Sequence, residues 1–165
     1  MKSKVLIASA IAIACCGMYN QASAQRFNNT TPGILLSGSC DTSALPKTAT
    51  DFLDKHFRGV KVKKCTHDYA DATYKVKLSN GVEVEFGNDG KVVEIEAADK
   101  GRLSEAVIKE VVPSKTYKYL KSNKMIANVE GIEYSRGRVV EIDLAVKGPD
   151  TVVFDLDGNF LVIED

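Results

Sequence analysis

Tryptophan is absent, histidine occurs twice and proline four times in 165 residues, and the 22 basic side chains are balanced by 22 acidic ones. With no excess of positive charge, nothing suggests a nucleic-acid backbone as partner. His56 and His67 are too few for a histidine-rich metal centre. Gly-x-Ser-x-Gly, His-Glu-x-x-His, Cys-x-x-Cys and the phosphate-cradling glycine loop are all missing. These absences argue against an enzyme, and no cofactor or metal is expected. No stretch beyond the first residues approaches the ~20 apolar positions of a membrane helix.

The first residues read as a targeting segment. Lys2 and Lys4 precede the apolar run Val5 to Ala14, and Ala22-Ser23-Ala24 is a small-x-small cleavage site before Gln25. A signal peptide over 1–24 is expected, giving a periplasmic or secreted protein. The rival reading is a lipoprotein anchored at Cys15, although the usual leucine three residues upstream is missing. Cleavage leaves Cys40 and Cys65 as the only thiols, and a pair in an exported chain reads as a disulfide. The alternative for Cys65 is a buried free thiol.

Residues 25–44 are polar and without sustained period, apart from the apolar triplet Ile34-Leu35-Leu36, and read as a flexible leader. Pro46 then suits a first helical turn, and Ala49, Phe52, Leu53, His56 and Phe57 form one apolar stripe ended by Gly59. His56 on that stripe reads as a partly buried core residue. A helix over 46–57 advances ~18 Å. The antiparallel return from Val60 to Cys65 covers ~17 Å, bringing Cys65 back towards Cys40.

What the chain has in plenty is internal similarity. Glu83 to Ala97 and Thr151 to Asp165 align at a shared offset, matching Phe86 with Phe154, Asp89 with Asp157, Gly90 with Gly158 and Ile95 with Ile163. The helix returns as Pro113, Thr116, Tyr119 and Leu120. Between the copies, Leu103, Ala106, Val107 and Val111 predict an extra short helix. Tyr74, Val76 and Leu78 alternate with Lys75 and Lys77, while Val82, Val84 and Phe86 alternate with Glu83 and Glu85. Keeping both apolar sets on one face requires Leu78 opposite Val82, with Ser79-Asn80-Gly81 as a three-residue loop. In each copy's opening strand the apolar face skips a residue, which predicts one bulge, marked by Gly131 in the second copy.

The resulting class is α+β: a tandem duplication of a helix plus a four-stranded antiparallel sheet unit, helices on one face. Strands are expected near 60–69, 72–78, 82–88 and 91–97, then 126–135, 138–146, 151–156 and 159–164, in one domain over 45–165 with repeats 45–98 and 99–165. Leu45-Pro46 opening the helix, the run Tyr74 to Phe86 and Asp89-Gly90 resemble the exported PepSY-like proteins, whose fold is similar to the beta-lactamase inhibitor protein. The resemblance implies a duplicated unit with both sheets on one side, a periplasmic location and a binding or regulatory role. Ser104 stands where a second Leu-Pro would be expected.

Two functional readings follow. The first is a protein or peptide partner held on the exposed sheet face; the second is a small ligand in the cleft between repeats. Read as two-residue hairpin loops, Asp89-Gly90 and Asp157-Gly158 set Phe86 opposite Val93 and Phe154 opposite Leu161. Glu83, Glu85, Glu94 and Glu96 then face outward beside Lys75 and Lys77. In the second repeat Ala145, Val153, Phe160 and Val162 are expected to form an outward apolar row, the expected partner surface with Phe160 as anchor. Asp155-Leu156-Asp157-Gly158-Asn159 is also similar to the start of a calcium loop. It lacks the intervening Asp/Asn and the distal glutamate, and reads as a turn.

Overall fold

The computed structural model describes residues 37–135 and 137–164. The expected signal peptide and Ile34-Leu35-Leu36 lie outside them. Nine antiparallel strands form one sheet in chain order: β1 (Ser37–Ser39), β2 (Val62–Asp68), β3 (Thr73–Leu78), β4 (Glu83–Gly87), β5 (Val92–Glu96), β6 (Val129–Ser135), β7 (Val139–Leu144), β8 (Thr151–Asp155) and β9 (Phe160–Glu164). The helices are α1 (Lys47–His56), α2 (Glu105–Val111) and α3 (Ser114–Ser122). The predicted α+β class is present, and each of the eight expected stretches contains an antiparallel strand. The two units are joined into one sheet by β5 and β6, through Glu94↔Glu133, Ile95↔Ile132 and Glu96↔Gly131.

One strand was not legible. Ser37–Ser39 falls within the expected leader, yet it pairs with β2 as the first edge. Cys40 continues the pairing with a backbone bond to the Cys65 carbonyl, and the two cysteines form a disulfide with Cα atoms 5.2 Å apart. The covalent bond and one polar ladder hold a segment that has no apolar alternation of its own.

Pro46 and Pro113 occupy the N-cap positions of α1 and α3, where a missing N–H costs nothing. α2 starts differently: Ser104 is its N-cap and accepts a hydrogen bond from the Val107 N–H at 3.3 Å. The buried stripes of α1 and α3 meet the same strand positions in the two repeats. Phe52 lies edge-on to Phe86 at 5.9 Å, and Tyr119 edge-on to Phe154 at 5.3 Å. Around these pairs, Val76, Leu78, Val84, Ile95, Ile132, Val140, Ile142 and Val152 fill one continuous core on the helix side.

The bulges predicted for the opening strands occur between Val62 and Lys64 and between Val129 and Gly131. Leu78 and Val82 close the expected three-residue loop, with Gly81 at φ +94. The Asp-Gly hairpins depart from expectation. Gly87 bonds to Lys91 and Asp155 to Asn159, so both loops have three residues, with Gly90 and Gly158 left-handed in the last position. A compensating bulge follows each loop. Phe86 therefore pairs with Val92, and Phe154 with Phe160, instead of Val93 and Leu161. Beyond the bulge Val84 pairs with Ile95 and Val152 with Ile163.

Both hairpin glycines have a second duty. A Cβ on Gly90 would meet the Ala49 nitrogen at 2.9 Å, and one on Gly158 would meet Thr116 Oγ1 and Pro113 Cβ, each at 2.9 Å. Each turn thus presses on the first turn of its repeat's helix, closer than any side chain permits.

Candidate functional site

The face of the sheet away from the helices is ordered by the strand registers into two long rows. The first runs through every strand: Ser39, Thr66, Lys75, Glu85, Glu94, Glu133, Glu141, Val153 and Val162, each directly opposite the next. The second runs Lys64, Lys77, Glu83, Glu96, Gly131, Asp143, Thr151 and Glu164. Lysines thus stand at one end and valines at the other. Carboxylates fill the middle, and four of them, from Glu85 to Glu141, lie opposite one another on consecutive strands.

Lysine compensates only the first part of this band. Lys75 Nζ lies 2.9 Å from Glu85 and 3.9 Å from Glu94, and Lys77 pairs with Glu83. Among the described residues, Glu96, Glu133 and Glu141 have no ion pair, and Asp143 accepts a hydrogen bond from the Thr151 hydroxyl at 2.9 Å. Burial pushes the Glu94 carboxyl above the ordinary glutamate range; Lys75 pulls it back, while Glu96, Glu85 and Glu133 push it further up. Glu133 is also raised, by burial first and then by Glu141, Asp143, Glu85 and Glu96. The Lys75 ammonium is raised by its hydrogen bond to Glu85.

The apolar row expected in the second repeat does not come together. Phe160 is on the helix side, stacked on Tyr119 at 5.0 Å, because the three-residue loop and its bulge move it opposite Phe154. Ala145 lies past the end of β7, in a connection longer than expected: Leu144 bonds back to Asp150, and Glu141 takes the place beside Val153. Val153 is only 6% exposed, whereas Val162 is 43% exposed. Val153 and Val162 alone keep the outward register expected of them.

Two polar clusters on the helix side were not foreseen. His56, with a side chain only 5% exposed, meets Glu110 of α2 at 2.8 Å, and Lys55 pairs with the same carboxylate. Sequence spacing gave His56 no carboxylate neighbour, since the two are 54 residues apart. Lys55 holds the Glu110 carboxyl below its usual range. The second cluster joins Tyr117, Glu105 and Lys121 and ties α2 to α3. A cleft of about 420 Å³ between the repeats is lined by Phe52, Val92, Glu110, Val111 and Tyr134, among others. The Tyr134 hydroxyl is already committed, donating to the Val111 carbonyl at 2.6 Å. No group of three or more Asp, Glu, His or Cys among the described residues is arranged to hold a metal.

A family profile described as "Putative beta-lactamase-inhibitor-like, PepSY-like" matches residues 37–94 and again 72–162. Solved structures with the same architecture come from Bacteroides. A "putative calcium-regulated periplasmic protein" of Bacteroides thetaiotaomicron is 26% identical with a TM-score of 0.65, covering 78% of this chain and 97% of its own. A "putative periplasmic protein of unknown function" of Bacteroides vulgatus is 29% identical with a TM-score of 0.63, covering 78% of this chain and 99% of its own. Another "putative periplasmic protein" of Bacteroides vulgatus, from the DUF2874 family, is 26% identical with a TM-score of 0.66, covering 81% of this chain and all of its own. No functionally curated protein matches the chain. Among the described residues no helix is long and apolar enough to cross a membrane.

Proposed function

The chain belongs to the PepSY-like, beta-lactamase-inhibitor-like family, and from that premise we propose that it is a non-catalytic exported binding protein whose outer sheet face engages a cationic segment of a protein or peptide. The observation that carries this reading is the file of Glu85, Glu94, Glu133 and Glu141 across β4 to β7. Like charges directly opposite one another destabilise a sheet. Here the arrangement spans the seam between the repeats, where among the described residues no lysine stands opposite it. Lysine or arginine side chains from a partner would relieve the repulsion as they bind, which converts a folding cost into binding free energy. Val162, 43% exposed at the end of the same row, supplies the apolar continuation that a protein partner would cover.

Export to the periplasm fits the description of the relatives and the Cys40–Cys65 bond. The face suits this function better than the cleft between the repeats, where the Tyr134 hydroxyl is spent on the Val111 carbonyl. Calorimetric titration with a lysine-rich peptide is the test. Binding should be saturable, weaken as salt rises, and be lost in Glu94→Gln with Glu133→Gln. Unchanged binding by that double variant would overturn the proposal.

A further inference from the structure

The two ends of the sheet are finished differently. At the first edge, β2 is covered by β1 through Ser39↔Thr66 and by Cys40, which donates to the Cys65 carbonyl and is bonded to that residue's sulfur. At the last edge, β9 carries Phe160-Leu161-Val162-Ile163, between 39% and 52% exposed, with no proline or lysine in the strand. Proline and lysine are common means by which edge strands avoid pairing.

The internal duplication supplies a comparison for this edge. β5 is the equivalent strand of the first repeat, with the same loop and the same bulge before it. Its outer edge takes β6, using Glu94, Ile95 and Glu96. The matching residues of β9 are Val162, Ile163 and Glu164. Ile95 is fully buried by that pairing, while Ile163 is 39% exposed for want of it.

We propose that β9 pairs with β9 of a second copy, antiparallel and about a two-fold axis through Ile163. This register repeats the β5·β6 seam, with Ile163 in the role of Ile95 against Ile132. It places Val162 opposite Glu164 of the other copy, so no two like charges meet. The first edge offers no equivalent seat on β2. The β2 positions corresponding to the seam on β6 are Lys64, Cys65 and Thr66, and β1 with its disulfide already sits along the last two. A head-to-tail chain built on the β5·β6 seam is therefore blocked, and the edge strand β1, three residues long (Ser37–Ser39), offers no apolar residue to face Ile163, so the association closes as a dimer. The apolar side chains of one short strand cover far less than the ~800 Å² per partner of a standard interface. The dimer is accordingly a concentration-dependent one.

Sedimentation equilibrium of the purified protein over a wide concentration range tests this, with oxidative cross-linking of Ile163→Cys. The expected result is a monomer–dimer equilibrium that Ile163→Lys and Val162→Glu each shift at least tenfold toward monomer. Ile163→Cys should give a covalent dimer on a non-reducing gel far more efficiently than Leu156→Cys in the exposed hairpin loop. A wild-type protein that stays monomeric throughout would overturn the proposal. So would a dimer indifferent to both β9 charge substitutions, or equal cross-linking from positions 156 and 163.

Discussion

Replacing Glu133 by glutamine should stabilise this protein. Glu133 lies between Glu94 and Glu141 in the outer row, with carboxylates opposite it on both sides and no lysine in pairing distance among the described residues. Each like-charge cross-strand contact costs ~0.2–1 kcal/mol on a partly solvated face. Removing two of them with an isosteric side chain should therefore contribute about 0.4–2 kcal/mol. For a domain of this size that raises the melting temperature by roughly 1–8 °C. The direction of the pH dependence follows from the raised Glu133 carboxyl. A group whose folded pKa exceeds its unfolded one binds more protons when folded. Its favourable contribution is thus fully present below the unfolded glutamate value and lost as pH rises through the folded one. The gain from Glu133→Gln should accordingly be largest at neutral pH, shrink as the pH falls through the raised value of the folded carboxyl, and be least once the pH is below the ordinary glutamate value of about 4.3. Differential scanning calorimetry of both proteins from neutral to acid pH makes the comparison. A neutral or lower melting temperature at pH 7, or a gain undiminished in acid, would refute the reasoning.

Other expectations are simpler. Reducing Cys40–Cys65, or Cys40→Ser with Cys65→Ser, reopens a loop of separation 25 and should lower unfolding free energy by about 3 kcal/mol, read from the urea midpoint; β1 should then lose its amide-exchange protection first. Gly158→Ala should cost more than Gly137→Ala. Both glycines have positive φ, but only Gly158 has helix atoms within 3 Å of the new Cβ. The left-handed backbone alone accounts for roughly 1–2 kcal/mol, so the difference between the two variants in chemical denaturation isolates the contact; equal losses would deny it.

The parts of this fold that could be read in the sequence are those fixed by local chemistry. Alternating Tyr74-Val76-Leu78 and Val84-Phe86 gave the strands, Asn80-Gly81 gave its loop, and the skipped residue before Cys65 and Ile132 gave the bulges. The Asp-Gly pairs misled by one residue, because the same dipeptide closes a two-residue loop or ends a three-residue one. The choice here goes with the glycine's contact against the helix, which is a tertiary contact. That single residue carried Phe160 to the other face. Ala145 was misplaced for a related reason: nothing local in Lys147-Gly148-Pro149-Asp150 sets how far β7 runs before it turns. The charged half of the outer face in the first repeat was legible, since Glu83, Glu85, Glu94 and Glu96 alternate with core residues. Its continuation into Glu133 and Glu141 was not, because pairing between β5 and β6 joins residues 39 apart in register, Glu94 with Glu133. β1 was missed because a Ser-Gly-Ser segment acquires its structure from a neighbour and a disulfide.

The most direct test of the carboxylate band as a binding surface compares two double variants of equal charge change in one titration with a lysine-rich peptide. One is Glu94→Gln with Glu133→Gln on the outer face; the other is Asp51→Asn with Asp54→Asn on α1, on the opposite side of the sheet. If the band is the binding surface, the first variant loses at least tenfold in affinity while the second binds as the wild type does. Equal affinities for the two variants would show that net charge, and not this face, draws the peptide, and would contradict the proposed function.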